Sequence, residues 1–141
     1  MNKIVLMIAC LFCATVLFAQ TKDEQAIKTA MGKQVSAWNK GNIDVFMETY
    51  WNNDSLLFIG KGGNTYGWKT TLDNYKKRYP DLTAMGKLNF DSLQLRPLGG
   101  EYYFVIGNWH LQRTIGDIGG VFTLLFKKIK GSWFIVVDHT S

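Results

Sequence analysis

The eleven residues Gly131-Ser-Trp-Phe-Ile-Val-Val-Asp-His-Thr-Ser141 gather the side chains of this sequence best suited to chemistry. A Lys130-Gly131 turn leads into a β-forming run that ends on Asp138, His139, Thr140 and Ser141. An imidazole, a carboxylate, two hydroxyls and a terminal carboxylate at one strand tip can exchange protons or recognise a polar ligand. Imidazole is the group that most readily gains and loses a proton near neutral pH. His139 is therefore the candidate acid/base if the protein is an enzyme, with a pocket contact or a structural bond to a backbone carbonyl as the other readings. A Ser-His-Asp arrangement does not follow, because neighbouring residues of one strand point to opposite faces and Asp138 and His139 are neighbours. The other histidine, His110, falls on the opposite face, so no metal site is expected, and nothing implies a cofactor.

These residues need a folded domain to position them, and the first nineteen residues are not part of it. Lys3 is the only charge before an apolar stretch from Ile4 to Phe18, and Ala19 is the small residue a signal peptidase prefers. Residues 1–19 read as a signal peptide carrying both cysteines, Cys10 and Cys13, and residues 20–141 as one domain. Cleavage leaves 141 − 19 = 122 residues without a cysteine. An exported chain of that size without disulfides must rely on its core, which can bury roughly two thirds of the unfolded surface. The expected location is periplasmic or secreted, with no membrane contact after cleavage. Losing Lys3 lowers the net charge from +5 to +4. The basic residues are scattered apart from Lys76-Lys77-Arg78, which reads as the wet face of a helix and not as a nucleic-acid surface.

Thr21-Lys-Asp-Glu24 reads as a capping box opening a helix with Ile27, Met31, Gln34/Val35 and Trp38 at helical spacing, stopped near Gly41. A short helix fits 44–50, a strand 55–59 and a third helix 68–79, ended by Pro80. Gly60, Gly62, Gly63 and Gly67 read as a flexible loop without the Lys-Ser/Thr of a phosphate loop. Strands follow at about 87–96, 101–113, 119–130 and 132–140. Helices first and an antiparallel meander afterwards define an α+β fold with the helices on one face of the sheet.

A two-residue turn at Lys130-Gly131 would set Phe126 opposite Ile135, Leu124 opposite Val137 and Phe122 opposite His139. Keeping one face apolar in the preceding hairpin pairs Trp109 with Leu124, Leu111 with Phe122 and Arg113 with Gly120. The inner wall then carries Trp109 and Phe122, with Arg113 and His139 at its open end. Trp38, Tyr50, Phe58 and Tyr75 complete the expected ligand pocket from the other side. Arg113 has two readings, an anion contact in the pocket or a pair with the Ser141 carboxylate. The opposite face, including Tyr102, Phe104, Ile106, Val121, Leu125 and Asp138, is apolar enough to expect a homodimer through it.

The order Ala37-Trp38-Asn39-Lys40-Gly41-Asn42-Ile43-Asp44, Tyr50-Trp51-Asn52-Asn53-Asp54, Gly67-Trp68, Gly107-Asn108-Trp109-His110-Leu111, Gly120-Val121-Phe122-Thr123-Leu124 and the tail 131–141 resembles the NTF2-like superfamily. Within it, the chain looks most like the SnoaL-like, DUF4440-type branch. The resemblance implies a cone, in which a curved sheet wraps around helices over a deep pocket, usually in a dimer. Relatives include isomerases, polyketide cyclases, dehydratases, immunity-type proteins and binding modules, so fold does not select an activity. The base Asp of ketosteroid-isomerase-like relatives corresponds to Ile59, which cannot take a proton. The reading is thus an exported domain that binds a small, partly apolar molecule, neutral or anionic, without strong catalytic machinery. One alternative is a cyclase, dehydratase or isomerase using His139; another is a protein-interaction module acting through the outer sheet face.

Overall fold

The computed structural model describes residues 22–141. The leader 1–19 and the Thr21 half of the capping box lie outside the described residues. Helix α1 covers residues 22–39. It is followed by α2 (Ile43–Met47), β1 (Leu57–Gly60), β2 (Gly63–Tyr66), α3 (Trp68–Arg78), α4 (Leu82–Met85), β3 (Lys87–Gly99), β4 (Tyr102–Gln112), β5 (Ile118–Ile129) and β6 (Ser132–Thr140). The strands form one sheet in the order β2-β1-β6-β5-β4-β3, antiparallel except where β1 runs parallel to β6.

The glycine-rich segment expected as a loop is instead the β1–β2 hairpin, with Gly60 paired to Gly63. β2 is an edge strand of mostly exposed Gly-Asn-Thr-Tyr, so it buries no face and leaves no apolar alternation to read. Helix α4 was also absent from the sequence reading. It is a single turn whose start is capped by Asp81, the carboxylate accepting from Ala84 N at 2.8 Å.

The apolar stripe of α1 places Ile27, Met31, Gln34 and Trp38 in the core, each no more than 2 % exposed. Long-range hydrogen bonds hold the helices on the sheet. Asn39 binds both backbone groups of Leu88, accepting from its N–H at 2.7 Å and donating to its carbonyl at 3.1 Å. Trp38 Nε1 donates to Met85 O and Trp68 Nε1 to Met47 O. At the other end of α1, Asp23 accepts from Lys128 Nζ at 2.8 Å and Trp133 Nε1 at 3.1 Å. These contacts clamp both ends of α1 against the sheet, and the space between becomes the interior of the cone.

Three register breaks interrupt the sheet. Two lie in β3, between Asp91 and Gln94, where Ser92 has φ 55°, and between Pro97 and Gly99. The other lies in β6 opposite the Leu125–Phe126 step, where Phe126 faces Ile135 but Leu125 faces Val137, leaving Val136 as the extra residue. Gly86, at the junction of α4 and β3, has φ 63° and ψ −153°. A Cβ there would lie 2.4 Å from the Gln112 carbonyl oxygen, so this close strand approach requires glycine.

Candidate functional site

The bulge at Val136 corrects the expected facing of the tail. Up to Ile135 the pairing is as read, but the extra residue exchanges the two faces beyond it. Asp138, expected outside, is buried at 3 % exposure. His139, expected inside, is exposed and opposite Thr123, and Thr140 takes the position opposite Phe122. Backbone pairing along the edge of β6 away from β5 accounts for the break. Ile135 exchanges hydrogen bonds with Thr49 O and Trp51 N, both 2.9 Å, whereas β1 pairs only with Val137, Asp138 and His139. Val136 sits where the edge passes from one partner segment to the other.

The β4–β5 register is also corrected. Trp109 faces Gly120 and Leu111 faces Ile118, rather than Leu124 and Phe122. The slip is even-numbered, so the apolar face is the one anticipated. Arg113 lies beyond the end of β4 and does not pair with Gly120. Its Nε donates to Gly116 O at 2.8 Å and its Nη1 to Ala84 O at 3.4 Å. The guanidinium therefore ties the 113–117 turn to α4, and Ser141 is not its partner. Ser141 instead donates its N–H to Val121 O, with its carbonyl over Gly120, where a Cβ would meet it at 1.8 Å.

Between the helices and the inner sheet face lies a cavity of about 90 Å³. Trp38, Tyr50, Phe58, Tyr75, Trp109 and Phe122 belong to its wall, while Arg113 and His139 do not. The wall is mostly aromatic, and its rings meet edge-on: Trp38 with Phe46 at 5.0 Å, Phe58 with Tyr75 at 5.8 Å and Phe90 with Phe122 at 5.3 Å. Asp138 is set into it. Tyr50 OH donates to Asp138 Oδ2 at 2.7 Å and Thr140 Oγ1 to Oδ1 at 2.6 Å. The Tyr50 and Tyr75 hydroxyls are 3.4 Å apart. Tyr50 reaches the carboxyl because its backbone is bridged to Ile135, three residues upstream.

Burial pushes the Asp138 carboxyl up to about 6, against the opposing hydrogen bonds of Thr140 and Tyr50 and a weak attraction from His139. Burial also raises Tyr50 and Tyr75 above the ordinary phenol range, and the nearby Asp138 charge adds to the effect. Both phenols are therefore proton donors throughout the working range. Gln34 and Trp109 also belong to this wall. Among the described residues, Gln34 Nε2 and Trp109 Nε1 are buried without a hydrogen-bond partner. A buried, unpaired N–H costs roughly 1–3 kcal/mol, so these atoms mark where an acceptor belongs. Gln34 was legible only as a polar residue interrupting the stripe Ile27, Met31, Trp38, and Asp138 only as the neighbour of His139.

Known structures share this α+β architecture. An NTF2-like protein of unknown function from Shewanella oneidensis MR-1 is 38 % identical, with 84 % of this chain and 98 % of that one aligned at a TM-score of 0.81. At that identity and coverage the chain belongs to the NTF2-like superfamily. An NTF2-like superfamily protein from Salmonella enterica serovar Typhimurium LT2 (18 % identity, 86 % and 92 % covered, TM-score 0.69) shares the fold. LinA does too, at 17 % identity, 86 % of each chain covered and a TM-score of 0.72. No protein-family model matches the chain, and no curated protein sequence matches it.

The raised Asp138 gives stability a defined pH dependence. Its pKa is about 6 in the folded state against an ordinary 3.8, so the folded chain holds this proton more tightly than the unfolded chain. Protonation therefore stabilises most below about pH 4, and that contribution is lost as pH rises through about 6. The shift corresponds to about 3 kcal/mol. We expect the stability of the wild type relative to Asp138→Asn to fall by an amount of that order between about pH 4 and pH 7, measured by urea unfolding. A difference independent of pH would show that Asp138 is not buried as described.

Proposed function

We propose that the cone binds a compact, largely apolar molecule carrying a hydrogen-bond-accepting oxygen, which takes the Gln34 and Trp109 N–H groups. The observation that carries this reading is the pair of unpartnered donors on residues of a mostly aromatic wall. Size adds a limit. An engineered cavity of about 150 Å³ accepts benzene, so a space of about 90 Å³ admits a short branched chain or part of a ring. Methyl isobutyl ketone and the matching hydrocarbon isohexane separate the polar from the apolar contribution. The ketone is expected to bind about tenfold more tightly, as one hydrogen bond provides. Gln34→Met is expected to reduce that preference while stabilising the unliganded protein by about 1 kcal/mol. Equal binding of ketone and hydrocarbon by NMR titration of the Trp109 indole would refute the acceptor role.

A second reading, proton transfer, rests on Asp138 and not on the exposed His139. A carboxyl titrating at about 6 can take a proton from a bound molecule and return it near neutral pH. The neighbouring Tyr75 hydroxyl supplies a donor for a developing oxyanion, while Tyr50 donates to Asp138 itself. This reading predicts deuterium exchange next to the carbonyl of the bound ketone, increasing with pH through a midpoint near about 6 and lost in Asp138→Asn. Exchange no faster than in buffer leaves the domain a binder.

Export and pairing complete the proposal. The apolar run ahead of Ala19 supports cleavage of a leader, and the exposed Tyr102 and Val121 on the outer sheet face support a second copy covering it. Native mass spectrometry of the protein recovered outside the cytoplasm is expected to give twice the mass of a chain starting at Gln20. A full-length or monomeric mass would contradict the respective part.

A further inference from the structure

The cone adjoins a second recess of about 510 Å³ between the β1–β2 turn and α3. Phe58, Tyr75 and Arg78 belong to the walls of both, so the two spaces share a boundary. Lys61 enters the recess from the β1–β2 turn, and Lys77 and Arg78 enter from the last turn of α3. Among the described residues no Asp or Glu lines it. Among the described residues Lys61, Lys77 and Arg78 form no ion pair, whereas Lys69 and Lys76 of the same helix pair with Asp73 and Asp44. The negative end of a helix dipole favours basic residues in a last turn. That accounts for Lys77 and Arg78, but not for Lys61 converging on them from a different element.

We propose that this recess is an anion subsite, and that the cone's ligand is an amphipathic monocarboxylate with its apolar body in the cone and its carboxylate among Lys61, Lys77 and Arg78. The inference rests on the cone-binding reading above and deepens it by giving the ligand's charge and orientation. Asp138 sets the polarity. A carboxyl at the inner wall disfavours a second negative charge there, while three unpaired cations at the mouth attract one. Only one orientation satisfies both ends. The neutral acceptor meets Gln34 and Trp109 inside, and the anion stays outside where it remains partly hydrated. The aromatic mouth residues Phe58 and Tyr75 are the surface past which the body enters.

The test compares 5-oxohexanoate with 5-oxohexanamide and 6-oxoheptanoate with 6-oxoheptanamide, each with a ketone acceptor at the far end, matched in shape and differing in charge. Binding is followed by calorimetry and by the indole resonance of Trp109. In the wild type each carboxylate is expected to bind about tenfold more tightly than its amide, with the ratio shrinking as salt is raised. In Lys61→Gln/Lys77→Gln the ratio is expected to approach one, and in Lys61→Arg/Lys77→Arg to persist. Both positions are exposed, so folding is not at stake. A wild-type ratio near one, with the amides still shifting Trp109, overturns the anion subsite and leaves the cone reading standing. Carboxylates that bind without moving Trp109 overturn the placement of one ligand across the two spaces. No response from acid or amide removes the cone reading together with this one.

Discussion

A β-strand presents alternate side chains to alternate faces, so one inserted residue exchanges everything that follows it. In β6 that insertion is Val136, and the inner character of the cone depends on it. Without the bulge, the aromatic wall would end on an imidazole and Val137 would fill the space. With it, Asp138 and Thr140 turn inward and His139 meets solvent. The extra residue is held by hydrogen bonds, because the edge of β6 away from β5 pairs with residues 49–51 on one side of the break and with β1 on the other. The same pairing brings Tyr50 to the carboxyl it binds.

Asp138 is then held between opposing effects. Burial favours the neutral acid, while two short hydrogen bonds from Tyr50 and Thr140 favour the carboxylate, and burial is the larger. Among the described residues no cation outweighs burial at Asp138. Arg113, read from the sequence as a pocket anion contact or a partner of Ser141, spends its donors on Gly116 and Ala84. A carboxyl balanced in this way can bind as an acceptor, bind as a donor or move a proton. Hydrogen bonding at the same site is completed only by an acceptor for Gln34 and Trp109. An interior rich in donors and a mouth rich in unpaired cations complement a molecule with a neutral acceptor at one end and a negative charge at the other.

The wall residues Trp38, Tyr50, Phe58, Tyr75, Trp109 and Phe122 were readable because burial follows period. Trp38 belongs to a stripe at helical spacing, and Trp109 and Phe122 lie on strands whose alternation survives an even-numbered slip in register. Arg113 and His139 were misplaced for different reasons. The end of β4 depends on where the chain leaves the sheet, and no residue type marks that point between Gln112 and Asp117. The facing of His139 depends on a bulge hidden in Trp133-Phe134-Ile135-Val136-Val137, an unbroken apolar run with no alternation to betray a change of parity. The β1–β2 hairpin stayed hidden for the converse reason, since a polar edge strand buries neither face.

By itself, the sequence determined the α+β class, the order of helices before a meander, the apolar identity of the inner face and the membership that those segments in that order imply. These properties are local or periodic, and each is written in spacing along a single element. The tertiary structure alone decided which polar groups enter the cone. That choice rests on contacts far apart in the chain: Tyr50 with Asp138, Thr49 and Trp51 with Ile135, and Lys61 beside Lys77 and Arg78. Pairing between distant segments sets register, and register sets the face of every residue after a bulge. The site is accordingly a property of how the elements meet.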